Sequence, residues 1–401
     1  ICFVLPISAV FFISRGLAPL AKYIQEQIAN LSSNLIEVVD RIDLIKINNS
    51  QKIETDTIQN LINELYSKKV SQAKRVSFVN PIMSMGAILA IIAELLYCIV
   101  AIQQKSLSLG SAIAYFIYLF QIISPISSIG SIITSIITIK GTLSHITAIY
   151  NQVNENINYG TELESTSIHK IELKDISYQY ENKIILDNIN ISAIRGQMVA
   201  LVGPSGAGKS TILNIMATLY SPTTGLLLVN NENRDSLKLK CIRNRISYAF
   251  QENKLIRGTI EDNIIYNSKY NQYNLDLLKN SGLLNFANDW KTYFLDMKKH
   301  FSGGELQRIS LSRALYKNSD LLLLDEITAN LDADSEKEVD QLLKKMQPQK
   351  IIFVAAHRLS TIVHADKIYF IDSGMITGSG THEELYKKHK KYKNFVDTQI
   401  I

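Results

Sequence analysis

The chain has 401 residues, enough for two ordinary domains with a buried core in each. Its net charge of +5 comes without a basic stripe, which leaves no footing for nucleic-acid binding. Cys2, Cys98 and Cys241 lie far apart with no CxxC spacing, which argues against a disulfide framework or a zinc site and fits a reducing cytosolic setting.

The 46% of hydrophobic residues crowd the first third of the chain, and the charges crowd the rest. Residues 1–14 (ICFVLPISAVFFIS) are apolar but shorter than the roughly 20 residues a bilayer crossing needs. Their positive flank, Arg15 and Lys22, follows the apolar run, the reverse of a signal peptide. We therefore read them as the end of a membrane helix, in a chain whose start is truncated. Residues 15–80 form a helical loop, with apolar residues at spacings of three and four in stretches such as LIEVVDRIDLIKI and TIQNLINELYSKKV. Spans are predicted over 81–102 and 109–139. The second is long enough to tilt or to extend beyond the membrane, and Pro125 is a site for a kink.

Arg41, Lys46, Lys68, Lys69, Lys74 and Arg75 lie in the long loop, whereas the link at 103–108 holds only Lys105. The positive-inside rule puts the loop in the cytosol and the link outside. Glu94, within the first span, is open to two readings: a protonated carboxyl bonded to a neighbouring helix, or a residue lining a substrate cavity. Residues 151–167 (NQVNENINYGTELESTS) are polar and aperiodic, a linker. From 168 to 401 strand-like and helix-like segments alternate, the mark of an α/β domain.

The chemistry concentrates there. MVALV, a buried-strand run, leads into Gly203, Pro204, Ser205, Gly206, Ala207, Gly208, Lys209, Ser210 and Thr211, and then into the helix-like TILNIMATLY. This is GxxxxGK[ST] between a strand and a helix. Glycines let the backbone turn its N–H groups inward onto phosphates, Lys209 adds a point charge, and the Ser210 hydroxyl suits Mg²⁺. LLLLDE places Asp325 and Glu326 at the end of a second apolar strand. Asp325 would hold Mg²⁺, and Glu326 would orient or deprotonate an attacking water. Between the two motifs, Ser302, Gly303, Gly304 and Glu305 open a helix with a hydroxyl and free N–H groups, a further phosphate-facing surface.

In this order, the motifs make residues 168–401 resemble an ATP-binding-cassette domain, with FSGGE in place of the LSGGQ signature. The resemblance implies that Tyr180 stacks on adenine and that Gln251 contacts Mg²⁺ and faces the membrane domain. It makes Leu331-Asp332 the end of the D-loop and His357 the switch histidine near the γ-phosphate. It makes residues 1–150 a partial transmembrane domain, the last helices of a six-helix exporter domain, with a coupling helix around Ile47–Ile58. The implied fold is an α-helical transmembrane domain followed by an α/β P-loop NTPase domain. The implied activity is export of an unidentified substrate driven by ATP hydrolysis with Mg²⁺. The implied setting is a lipid bilayer, the plasma or inner membrane, with the ATP-binding domain in the cytosol. The implied partner is a second half-transporter, a homodimer in preference to a heterodimer because Glu326 and the signature are both intact.

Three features depart from the family. Glu305 stands where Gln is usual, the D-loop reads TANLD, and WKTYFLDMKKHFSGG lacks the glycine-containing stretch that normally precedes the signature. The alternatives are an inactive remnant and a non-transporting ATPase; the apolar spans argue against the second. An import system, whose membrane and ATPase parts are usually separate chains, fits less well.

Overall fold

The computed structural model describes residues 4–151, 155–163, 165, 167–287, 289–327, 331–356, 358 and 362–398. The chain divides into two compact units, Ile1–Asn154 and Glu155–Ile401.

The first unit is helical: α1 (Val4–Ser14), α2 (Leu17–Asp40), α3 (Ile42–Ile47), α4 (Gln51–Ser77), α5 (Val79–Gln103) and α6 (Leu109–Tyr150). Helix α2 packs on α4 and α6, and α5 packs on α1 and α6. The interior is thin, built from residues such as Val10, Leu17, Val79 and Met83, while Ile88, Leu89, Leu96 and Tyr97 face outward. Helices with satisfied backbones and apolar exteriors are what a bilayer demands. Among the described residues one helix, within Gln51–Gln103, is long and apolar enough to cross a membrane, and Leu109–Gln121 and Ser131–Leu143 are shorter apolar stretches. Helix α6 runs through Pro125 as one element. The Glu94 carboxylate accepts a weak bond from Cys98 Sγ at 3.7 Å, one turn along its own helix. The short helix in the 15–80 loop is α3. The segment from Ile47 to Ile58 instead contains a turn at Asn48–Ser50, with Asn49 at φ +50°, and the start of α4.

The second unit is an α/β domain. Its strands are β1 (Lys170–Tyr180), β2 (Lys183–Ile194), β3 (Met198–Val202), β4 (Thr224–Val229), β5 (Glu232–Asn233), β6 (Ile246–Ala249), β7 (Leu321–Asp325), β8 (Ile351–Ala355), β9 (Lys367–Asp372) and β10 (Met375–Gly380). They form an antiparallel sheet ordered β2-β1-β4-β5 and a sheet ordered β10-β9-β3-β8-β7-β6, parallel except for the β10 edge. The runs MVALV, LLLLD and IIFVA are buried throughout, as strands covered on both faces must be. Their alternate residues feed two cores: Ala200, Leu322 and Val354 point to one face, and Leu201, Leu323 and Phe353 to the other. Helices α7 (Lys209–Met216), α8 (Leu239–Asn244), α9 (Ile260–Ile265), α10 (Gln272–Lys279), α11 (Gly303–Tyr316) and α12 (Ala333–Met346) complete the part of the domain that carries the motifs.

Part of the aperiodic 151–167 stretch is strapped to this domain. Thr161 N–H donates to Ser236 O at 2.8 Å, Lys238 N–H returns a bond to Thr161 O at 2.8 Å, and Arg243 grips both oxygens of Glu155 at 2.6 Å. A polar sequence without periodicity gives no sign of such bonds, because they are backbone pairings and one ion pair to distant parts of the chain.

Candidate nucleotide site

Strands β3 and β7 flank β8 in the parallel sheet, with Leu201 and Asp325 both in register with Ala355. The loops leaving β3 and β7 therefore emerge side by side at the carboxyl edge, the usual ligand position in open α/β sheets.

The loop after β3 turns on its glycines. A Cβ at Gly203 would lie 2.0 Å from Ile371 O, so the close approach to β9 requires glycine. Gly208 caps α7 at φ +101°, in the left-handed region, and a Cβ there would meet Leu186 Cδ2 at 2.5 Å. Pro204, Ser205 and Gly206 form an exposed tip, while Ala207 and Gly208 are buried. Lys209 is only 5% exposed, and its Nζ donates to Gly203 O at 2.9 Å and Pro204 O at 3.0 Å. Burial pulls its pKa down, and the charges of Glu326 and Asp325 partly offset this.

Ser210, one residue into α7, donates through Oγ to Asp325 Oδ1 at 3.1 Å. The other carboxylate oxygen, Oδ2, accepts from Tyr248 Oη at 3.4 Å. Burial raises the Asp325 pKa, and Glu326 pushes the same way against the bonds from Ser210 and Tyr248. A buried carboxylate with a hydroxyl beside it is a donor pair suited to a hard dication such as Mg²⁺. Glu326 follows with φ +51°, its N–H bonded to Ala355 O at 3.1 Å. Gln251 Nε2 donates to Glu326 Oε2 at 2.7 Å, so Gln251 meets the second carboxylate of the pair.

The other candidates sit elsewhere. Tyr180 ends β1 at a hairpin whose turn residues, Glu181 and Asn182, have positive φ, and its ring is 59% exposed. Thr211 is half-buried in the first turn of α7. Ser302 caps α11 and is closed into a box with Glu305. Glu305 Oε2 accepts from Ser302 N–H at 2.7 Å and from Ser302 Oγ at 2.8 Å. Gly303 O accepts from Asn253 Nδ2 at 3.5 Å. Among the described residues, no hydrogen bond joins Ser302–Glu305 to the loop 203–211. His357 lies outside the described residues. Leu331 is buried, and its carbonyl accepts from the Arg358 guanidinium.

Two further residues reach this site, Tyr248 outside any motif and Gln307 within the FSGGELQR run. Tyr248 stacks on Phe250 with centroids 4.0 Å apart and reaches Asp325 from the adjacent strand. Its pKa is raised by burial first and by Asp325 second. Gln307 donates to Glu326 O at 3.1 Å from within α11. The available signal was position: Tyr248 lies three residues before Gln251, and Gln307 lies five after Ser302.

Residues 186–329 match the family model described as ABC transporter, and residues 1–126 match the model described as ABC transporter transmembrane region. A "Multidrug resistance ABC transporter ATP-binding and permease protein" of Lactococcus lactis subsp. cremoris (strain MG1363) is 32% identical over 387 residues, covering 94% of this chain and 65% of the relative. An "ATP-dependent lipid A-core flippase" of Haemophilus influenzae (strain 86-028NP) is 29% identical over 407 residues, covering 98% of this chain and 69% of the relative. The chain thus spans about two thirds of the length of these relatives. In fold, it superposes on a solved structure described as "Structure of a bacterial Atm1-family ABC exporter with ATP bound". That match has a TM-score of 0.87 at 21% identity and covers 99% of this chain and 72% of the other.

Proposed function

This chain belongs to the ABC transporter family, with a membrane region and an ATP-binding domain in one polypeptide, and we propose that it forms one half of a dimeric exporter driven by ATP hydrolysis. The observation that carries the reading is the meeting of two loops at one sheet edge, with Ser210 Oγ 3.1 Å from Asp325 Oδ1 and Lys209 held on the carbonyls beside them.

In this reading Lys209 leaves Gly203 O and Pro204 O to meet the outer phosphates, and the loop N–H groups wrap them. Ser210 and Asp325 hold Mg²⁺, which supplies charge neutralisation on the phosphates. Glu326, positioned by Gln251 and by Gln307 on its carbonyl, orients the water for in-line attack. Tyr180 stacks on the base, and His357 contacts the γ-phosphate. Ser302, Gly303 and Gly304 meet the nucleotide of a second copy, so hydrolysis needs two cassettes. Closure and reopening of that pair would drive alternating access of the membrane helices in an inner or plasma membrane. The intact Glu326 and signature favour a homodimer. The names of the two relatives, one for multidrug resistance and one for a lipid, favour a drug-like or lipid cargo.

The test is ATP turnover by the full chain in lipid vesicles beside its Glu326→Gln form. Turnover in the first, with nucleotide trapped in the second, supports the reading. Equal turnover in both overturns the role given to Glu326, and no turnover or nucleotide binding in either favours an inactive remnant.

A further inference from the structure

We propose that the Glu305 carboxylate is an internal anion that competes with a partner's nucleotide phosphate for the Ser302 hydroxyl, so that it sets the ATP concentration at which two cassettes close. This rests on the proposed function, in which Ser302 faces the phosphate of a second copy.

The geometry is specific. One oxygen, Glu305 Oε2, accepts both the Ser302 N–H at 2.7 Å and the Ser302 hydroxyl at 2.8 Å. The hydroxyl has a single proton, and the carboxylate holds it. Toward an arriving phosphate, Ser302 therefore presents lone pairs where a donor is needed. The approach itself is open: Ser302 and Gly303 are exposed, and a Cβ built on Gly303 meets nothing within 4 Å. The return bond, Glu305 N–H to Ser302 Oγ, is long at 3.4 Å. The hydroxyl is thus held mainly by the charged oxygen. Among the described residues, no ion pair neutralises Glu305.

Two effects follow from that one carboxylate, and they act in the same direction. It withholds a proton that a phosphate oxygen needs, and it sets a negative charge beside a polyanion. A capping box closes equally well with Gln, whose amide oxygen still accepts the hydroxyl proton, so Glu305→Gln removes the charge alone and the charge is separable from the helix cap. Glu305 is a positioning residue in this account, acting through the Ser302 hydroxyl.

The experiment is ATP turnover against ATP concentration for the full chain in lipid vesicles, comparing wild type with Glu305→Gln and Glu305→Ala at low and high NaCl. For Glu305→Gln the half-saturating ATP concentration falls about tenfold, the scale of one screened charge near a surface. The change falls on KM more than on kcat. Raising NaCl to about 0.5 M narrows the gap between wild type and Glu305→Gln, because the Debye length shrinks to a few ångströms. Glu305→Ala moves KM the same way but also lowers the melting temperature, since it loses the cap. A Glu305→Gln curve lying on wild type, or a gap that salt leaves unchanged, overturns the proposal. So does a shift confined to Glu305→Ala, which would make Glu305 a cap alone. Absence of turnover in wild type would instead remove the ATPase reading and take this proposal with it.

Discussion

Replacing Lys209 with Met separates nucleotide binding from folding. The side chain keeps its length and apolar stem but loses the ammonium that donates to Gly203 O and Pro204 O at 2.9 and 3.0 Å. Each charge-assisted bond is worth roughly 1.5–3 kcal/mol. Against these bonds stands the cost of keeping an ammonium at 5% exposure, a desolvation that lowers its pKa. For a buried ion that cost is several kcal/mol, so the two sides nearly cancel. The nucleotide-free protein should change stability by no more than about 2 kcal/mol, or roughly 4–8 °C in melting temperature for a unit of this size. Binding has no such cancellation. Removing one partner of a desolvated charge pair costs about 2–5 kcal/mol, which is about 30-fold to several thousand-fold in Kd. Calorimetric titration of Mg-ATP into the full chain, beside its melting curve, reads both quantities. Unchanged ATP affinity in Lys209→Met would refute the reasoning, and so would a collapse in melting temperature, which would make Lys209 a structural strut.

Glu326→Gln should lower ATP turnover on the order of 10²–10³, roughly 2.7–4 kcal/mol of barrier, and leave nucleotide bound; a turnover assay with a filter-binding measurement reads both. Arg313 donates to Asn263 O, Asn263 Oδ1 and Lys254 O at 2.6–2.7 Å. Arg313→Met takes the donors from the Asn263 and Lys254 carbonyls, while Asn263 Oδ1 keeps its bond from Ile256 N–H at 2.9 Å. The cost is about 1–3 kcal/mol and a fall of roughly 2–12 °C in melting temperature, read from the melting curve. Lys350 is buried, with Nζ donating to Ser319 O and Ser319 Oγ, and burial depresses its pKa to about 8. The unfolded chain therefore binds the extra proton between about pH 8 and 10.5, and stability from this group rises with pH across that window by about 3 kcal/mol. The difference between the wild-type and Lys350→Met melting curves should show that slope, and parallel curves would refute it.

The helical-then-α/β order and the buried strands were legible because they are carried by composition and by uninterrupted apolar runs such as LLLLD. The meeting of the phosphate loop with Asp325 was legible for the same reason: strand–loop–helix context fixes where a loop leaves the sheet. Contacts made sideways were not legible. Tyr248 reaches Asp325 from the next strand, Gln307 reaches Glu326 O from α11, and Thr161 pairs with a turn 75 residues away. Tyr248 and Thr161 belong to no motif, and Gln307, though inside FSGGELQR, gives no sign there of its partner, because each contact depends on which elements become neighbours. The break between α3 and α4 is a more local matter. Apolar residues stop at Ile47 and resume only at Ile53, and the polar run Asn48-Asn49-Ser50, with Asn49 at φ +50°, makes the turn that separates α3 from α4.

Helix α11 ties the chemistry together. Its first residues carry the Ser302–Glu305 box, its second turn carries Gln307 to the carbonyl of Glu326, and its third carries Arg313 to the segment after Gln251. Gln251 in turn holds the Glu326 carboxylate. A phosphate that displaced Glu305 at the start of the helix would act on a rigid element bonded, directly and through one loop, to both ends of Glu326. Helices transmit displacement because their interiors are packed and their backbone bonds are closed. From this chain of contacts, Glu305→Gln should alter how steeply turnover depends on ATP as well as its midpoint, and superimposable slopes for wild type and variant would refute a link from the box to Glu326.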